Sequence, residues 1–296
     1  MYMTGFADEA ADAIEGQIKV TKELGWENIE SRRVGSANIH DIPDDEFERT
    51  VEKLEEAGVK VNCFGSTIAN WGKQITDSMD QTHEEIDRAI PRMKRLDTKL
   101  IRVMSFAVLK DRGPDDQMKE ERFERMRTIV KRFTDEGLLP VHENCMNYGG
   151  MGYTYTLELI ENVPGLKLVF DTGNPVFTDD RSKDKPYPKQ SSWEFYSHVK
   201  DHIAYVHIKD GVWEYDEEAA KHKTRFTYPG EGDGDVVKIT NDLVASGYDG
   251  GISIEPHLGA VFHDPSIKSD EEKRYAMYLE YGKRMEKIVR DAGGKL

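Results

Sequence analysis

Ala204-Tyr205-Val206-His207-Ile208-Lys209-Asp210-Gly211 is a short apolar, β-branched run that ends in an imidazole, an ammonium and a carboxylate. Such a run fits a buried strand. Alternation along it puts Tyr205, His207 and Lys209 on one face, so the strand delivers polar groups at its C-terminal end. A single histidine in that place is commonly a hydrogen-bonded structural residue. The reading turns functional because the same event, an apolar strand ending in a metal-ligand type of residue, recurs before and after it.

Working outward, the chain keeps one rhythm. Towards the N-terminus, Leu138–Cys145 and Leu166–Thr172 read as strands, each followed by a helical pattern (Thr154–Asn162 and Ser191–His202). Towards the C-terminus, Val236–Ser246 is helical, Gly250–His257 is a last strand and Ser269–Asp291 a closing helix. The first half repeats the pattern. Strands Tyr2–Ala7, Trp26–Val34, Val59–Ser66 and Lys99–Phe106 alternate with helices Asp8–Leu24, Asp44–Ala57, Ser78–Leu96 and Pro114–Glu136, several stopped by a glycine such as Gly25, Gly58 or Gly137. Eight strand-then-helix units of about 37 residues suit a βαβ repeat. They predict a single α/β domain over residues 1–296, a parallel (β/α)8 TIM barrel whose functional groups gather where strands run into their following loops. A doubly wound open sheet is the alternative, but no glycine-rich phosphate turn follows the first strand. Two departures interrupt the rhythm: a Pro- and Lys-rich surface insertion around 176–190, readable as a solvated loop, a lid or a subunit contact, and a long loop around 212–232.

Composition narrows the chemistry. Fifty-six acidic residues against 41 basic give a net charge of -15, which argues against non-specific nucleic-acid binding because phosphate neutralisation needs a basic surface. No run of about 18 apolar residues is present, and the acidic stretch from Met1 to Ala13 has no basic n-region or apolar h-region. A soluble cytoplasmic protein that acts on small molecules is expected, with a homo-oligomer possible. Cys63 and Cys145 are the only cysteines and form no CxxC pair, so any metal here uses oxygen and imidazole donors.

Four consecutive strands supply such donors at their ends: Glu143 in Pro-Val-His-Glu-Asn, Asp171 in Leu-Val-Phe-Asp-Thr-Gly-Asn, His207, and Glu255 in Ile-Ser-Ile-Glu-Pro-His. In a barrel, successive strands are neighbours, so all four side chains can converge at the C-terminal mouth. A carboxylate behind Leu168-Val169-Phe170 or Ile252-Ser253-Ile254 is costly to bury unless it is paired or coordinates a metal. Three carboxylates and one imidazole suit one divalent cation, Mn2+ first, with Mg2+, Co2+ or Zn2+ as alternatives.

The order of these strand ends, with Asp-Thr-Gly-Asn at 171–174, His-Ile-Lys-Asp at 207–210, Pro-Gly-Glu-Gly-Asp at 229–233 and Gly-Tyr-Asp-Gly-Gly-Ile-Ser-Ile-Glu at 247–255, resembles the xylose isomerase-like TIM-barrel superfamily. Within it the chain is similar to the sugar phosphate isomerase/epimerase group that includes D-tagatose 3-epimerase and 2-keto-myo-inositol dehydratase. The resemblance runs from Gly-Phe-Ala-Asp-Glu at 5–9 onward. It implies a divalent metal on Glu143, Asp171, His207 and Glu255, and the two glutamates as a proton-transfer pair on opposite faces of a keto-sugar substrate. The expected activity is a metal-dependent isomerase or epimerase working through an enediolate. The alternatives are a dehydratase or lyase on a keto-inositol or 3-keto-glycoside and, more distantly, an apurinic endonuclease-like nuclease. A barrel kept as a binding subunit without turnover is a further reading. Two positions depart from the ketose epimerases, which carry a histidine where Asn174 stands and an arginine where Trp213 stands. Both are substrate-binding in those enzymes, so their substrate does not carry over.

Several neighbours are weighed beside the four. Lys209 and His257 are candidate substrate-binding groups, Lys209 alternatively forming a rim ion pair with Asp210. Asn144 either touches substrate or orients a ligand. His142 falls on the face opposite Glu143 and reads as structural. Gly230-Glu-Gly-Asp-Gly-Asp235 reads as the turn that starts the next helix, and Trp71, Trp193 and Trp213 are aromatic candidates for lining a sugar site.

Overall fold

The computed structural model describes residues 1–217, 220–261, 264–268 and 270–296. Its centre is a sheet of eight parallel strands: β1 (Tyr2–Gly5), β2 (Asn28–Ser31), β3 (Lys60–Phe64), β4 (Leu100–Val103), β5 (Leu139–Glu143), β6 (Lys167–Asp171), β7 (Ile203–Ile208) and β8 (Gly251–Ile254). Each strand from β2 to β8 pairs with its successor, and β8 pairs with β1. The seam between β1 and β2 is closed by one parallel bridge, Phe6 with Glu30. The expected single (β/α)8 barrel is therefore the observed architecture.

The expected helices are present, α2 with the expected bounds, α5 one residue longer at its start and the others shorter: α1 (Ile14–Glu23), α2 (Asp44–Ala57), α3 (Asp80–Arg95), α4 (Lys119–Thr134), α5 (Tyr153–Asn162), α6 (Ser192–Val199), α7 (Val236–Ala245) and α8 (Glu271–Asp291). In α3, Thr82, Glu85, Ile86, Ala89 and Met93 are buried, the i, i+3, i+4 stripe of a helix packed on a barrel. Helix α2 ends at Gly58 with φ 66°, a left-handed cap that glycine enters without a Cβ penalty. The expected start of α8 at Ser269 lies outside the described residues; Asp270 caps this helix by accepting the Lys273 N–H at 2.9 Å.

Two sequence expectations need correction. Asp8 to Ala13 is not helical throughout: a short 3-10 turn at Ala7–Glu9 precedes α1, and it turns Asp8 and Glu9 into the barrel mouth. The long loop around 212–232 is in its first part an antiparallel ribbon, Gly211–Asp216 paired with Lys221–Phe226; Glu218 and Ala219 lie outside the described residues. The insertion around 176–190 opens with a single helical turn, Asn174–Phe177. An Asp179–Lys189 bridge closes it, and Lys189 Nζ donates to Asp179 Oδ1 and to the Phe177 carbonyl, each at 2.8 Å. Among the described residues no helix is long and apolar enough to cross a membrane.

Candidate active site

Strand register brings the four strand-end residues together. Asp171 is the cross-strand partner of His207 on β6 and β7, and Ser253 on β8 pairs with His207 from the other side, two residues before Glu255. Glu143, Asp171, His207 and Glu255 are all buried, and one donor atom of each lies within 4.8 Å of the others.

The imidazole of His207 is held at both nitrogens. Nδ1 is 3.3 Å from Glu143 Oε1, and Nε2 is 3.0 Å from Glu30 Oε2, which also accepts the Ser253 hydroxyl at 2.6 Å. Burial disfavours the charged ring, but Glu30 and Glu143 outweigh it and raise the His207 pKa to about 10. Glu143 feels burial in the opposite sense; Arg102 and His207 overcome it and hold its carboxyl near 2. Arg102 Nη1 is 3.1 Å from Glu143 Oε2 and its other arm donates to the Gly65 and Ser66 carbonyls. Glu255 is held well below the usual range, since Lys209, His257 and Arg32 overcome its burial. Asp171 differs: burial dominates despite Lys209 and lifts it to about 6.

A divalent ion fits this donor set. Asp171 Oδ2 and Glu255 Oε2 are buried and take no donor other than a lysine, and buried carboxylates brought together call for a compensating cation. What faces both is Lys209 Nζ, 3.1 Å from Asp171 Oδ2 and 2.7 Å from Glu255 Oε2. Of the partners open to Lys209, the metal-type carboxylates are the real ones. Asp210 does not pair with it, because its carboxylate accepts the backbone N–H groups of Gly211, Gly230, Gly232 and Gly234 at 2.8 to 3.1 Å. A Cβ at Gly232 would sit 2.4 Å from Asp210 Oδ1, so the glycine-rich turn before α7 exists to wrap this carboxylate.

His257 reaches the cleft with φ 53°, a left-handed backbone that Glu9 stabilises by accepting its N–H at 2.7 Å and contacting Nδ1 at 2.8 Å. Its Nε2 is 3.7 Å from Glu255 Oε1. Asn144 grips the backbone of Asp171, donating to its carbonyl at 3.0 Å and accepting its N–H at 2.7 Å; the contact orients Asp171. Asn174 bridges Glu143 Oε1 and Lys209 Nζ at 3.3 and 3.2 Å. His142 is buried on Ser105 and Asn147, away from the cluster, as its strand face predicts. Trp71 lines the cleft, whereas Trp193 packs on Tyr196 and Trp213 lies on the ribbon beneath Lys189.

Sequence reasoning missed the groups from the first half of the barrel. Arg32 joins Asp8 Oδ2 at 2.9 Å, Glu9 Oε1 at 3.3 Å and Glu255 Oε1 at 2.7 Å. Glu30 and Arg102 complete the cage. The available signal was a charge inside a short apolar strand, Glu30 in Asn-Ile-Glu-Ser and Arg102 in Leu-Ile-Arg-Val.

An eight-stranded parallel barrel with a buried carboxylate and imidazole cluster at its C-terminal mouth defines a broad class of barrel enzymes and their relatives. The chain belongs to the xylose isomerase-like TIM barrel family, whose profile matches residues 18–277. Similar solved structures include a xylose isomerase-like TIM barrel protein from Mycobacterium smegmatis in complex with magnesium (15% identity, TM-score 0.70, covering 98% of this chain and 97% of that one). A probable 3-DHS dehydratase of petrobactin synthesis from Bacillus anthracis aligns at 16% identity and TM-score 0.68 over 98% and 99% of the two chains. D-allulose 3-epimerase from Methylomonas sp. aligns at 15% identity and TM-score 0.65 over 96% and 97%. No curated protein matches the chain.

Proposed function

We propose that the protein is a divalent-metal-dependent enzyme that isomerises or epimerises a keto-sugar or related polyol through an enediolate. The observation that carries this reading is the convergence of Glu143, Asp171, His207 and Glu255, all buried, with donor atoms within 4.8 Å of one another. These four residues would hold the ion, Mn2+ first. When bound, such an ion supplies the Lewis acidity that polarises a ketone and lowers the cost of removing the neighbouring proton.

The residues of the chain do the rest. Glu143 and Glu255 are held ionised, the state a base needs, and take and return the α-proton. Asn174 and His257 line the cleft and meet sugar hydroxyls. Asn144, Glu30 and Arg32 position the groups that react. The epimerase and dehydratase among the structural neighbours each act in this barrel type.

One observation favours elimination as a second reading. Lys209 Nζ is an ammonium inside the cluster, 2.7 Å from Glu255, and it can protonate a departing β-hydroxide while Glu255 removes the proton. Incubating the Mn2+-loaded protein with 3-keto glucosides in D2O separates the two. Deuterium in recovered sugar supports isomerisation or epimerisation, and an enone supports elimination. If neither forms with any of Mn2+, Mg2+, Co2+ or Zn2+, and Mn2+ binds Asp171→Asn as tightly as the parent, the proposal fails.

A further inference from the structure

The imidazole of His207 is held at its nitrogens by carboxylates and across its plane by rings. Glu143 and Glu30 take Nδ1 and Nε2. Phe6 meets the imidazole edge to face with centroids 5.0 Å apart and planes at 68°, and Tyr205 does so at 5.6 Å and 78°. Phe6 is itself steadied by two guanidinium groups, Arg32 at 4.3 Å and Arg102 at 5.1 Å from its centroid.

Tyr205 is steadied differently. It lies two residues before His207 on β7 and is fully buried. Its phenol oxygen accepts a hydrogen bond from Asn62 Nδ2 at 2.9 Å, and Asn62 Oδ1 accepts one from the Thr4 hydroxyl at 2.7 Å. Thr4, Asn62 and Tyr205 stand on β1, β3 and β7, no two of which are neighbours in the sheet, so these bonds cross the inside of the barrel. Branched apolar side chains usually fill that space, and polar groups placed there must be paired. Here the pairing fixes one ring. Its slot is closely bounded, since a Cβ at Gly251 would sit 2.5 Å from Tyr205 Cε2.

Resting on the metal-site reading above, we propose that Tyr205 is a positioning residue for His207, with Asn62 as the anchor of its ring. The contact of Nδ1 with Glu143 is the one that would be given up to an ion, leaving the imidazole with Glu30 and the two aromatic rings. A hydrogen bond along Nε2–H lets the imidazole tilt about that line, and side chains packed against it stop the tilt. Tyr205 thereby keeps the Nδ1 lone pair aimed at the carboxylates. The loop after β7 supplies none of this; the support comes from inside the barrel.

Titration calorimetry with Mn2+ on the full chain tests the assignment. Tyr205→Leu, which removes the ring, is expected to bind Mn2+ about three- to tenfold more weakly, with an altered paramagnetic resonance spectrum of the bound ion. Tyr205→Phe keeps the ring but loses its anchor, and is expected to fall between the parent and Tyr205→Leu, about twofold weaker than the parent. Phe133→Leu, a change at a fully buried position on α4, is the control: it should lower Tm and leave the affinity alone. If Tyr205→Leu likewise loses Tm but binds Mn2+ as tightly as the parent, its role is structural and the proposal is overturned. Should Tyr205→Leu fail to fold, Tyr205→Phe decides, and parental affinity in that variant overturns the proposal. Both of these outcomes leave the metal site standing. A parent that binds none of Mn2+, Mg2+, Co2+ or Zn2+ overturns the metal-site reading and this proposal together.

Discussion

Lys209 Nζ lies 2.7 Å from Glu255 Oε2 and, on its other side, 3.1 Å from Asp171 Oδ2. One ammonium thus faces the two oxygens that a divalent ion needs. On the proposed function, a lysine and a metal would compete for the same carboxylates.

Lys209→Met should separate those roles. Without metal, removing the lysine leaves buried carboxylates uncompensated and costs about 3–5 kcal/mol. With Mn2+ the loss is made good, so the metal-induced rise in Tm should be larger for the variant than for the parent. Scanning calorimetry with and without Mn2+ measures this, and equal rises in both proteins would show that Lys209 does not compete for the site.

Glu30→Gln tests the support of His207. Glu30 holds Nε2 and so directs Nδ1 towards the cluster. Partners of this kind typically contribute 10- to 100-fold to metal affinity. Titration calorimetry with Mn2+ should show a loss of about that size, and the Ser253 hydroxyl, which donates to the same carboxylate, should not rescue it.

Acid sensitivity should come in part from His142. Burial lowers its pKa to about 4, against about 6.5 in an unfolded chain. Above pH 6.5 the ring is neutral in both states and contributes no pH dependence. As pH falls below that, the unfolded chain takes up a proton that the folded one refuses, and stability drops until about pH 4. The full loss is of the order of 3 kcal/mol. Urea unfolding of metal-free protein at pH 7 and pH 5 should show the parent losing more stability than His142→Asn.

Asp210→Ala should destabilise the fold without touching the cluster directly. It strips the partner from four glycine amides that turn inward around one carboxylate. Unsatisfied buried donors cost about 1–3 kcal/mol each when water cannot replace the acceptor. A fall in Tm that Mn2+ does not reverse is the expected result, and an unchanged Tm would mean the glycine loop finds other acceptors.

The sequence by itself determined the barrel and the second-half strand-end residues that meet at its mouth. Eight strand-then-helix units are a local pattern, written in periodicity and in glycine stops. Once they form a parallel barrel, the ends of neighbouring strands must adjoin, which is why Glu143, Asp171, His207 and Glu255 could be assembled on paper. The ribbon Gly211–Asp216/Lys221–Phe226 was hidden because it lies outside the strand-then-helix rhythm, and the alternation in Trp213-Glu214-Tyr215-Asp216 turns its aromatic side chains outward instead of into the core. Only the tertiary structure decided what surrounds the cluster. Closing β1 against β2 carries Glu30 to His207 and Arg32 to Glu255, contacts across 177 and 223 residues of chain. It also gave Asp210 to the glycine amides and left Lys209 facing the carboxylates. A sequence shows which groups cannot be buried alone. Which partner compensates each of them depends on the geometry of closure, because Coulombic pairing falls off with distance in space and takes no account of distance along the chain.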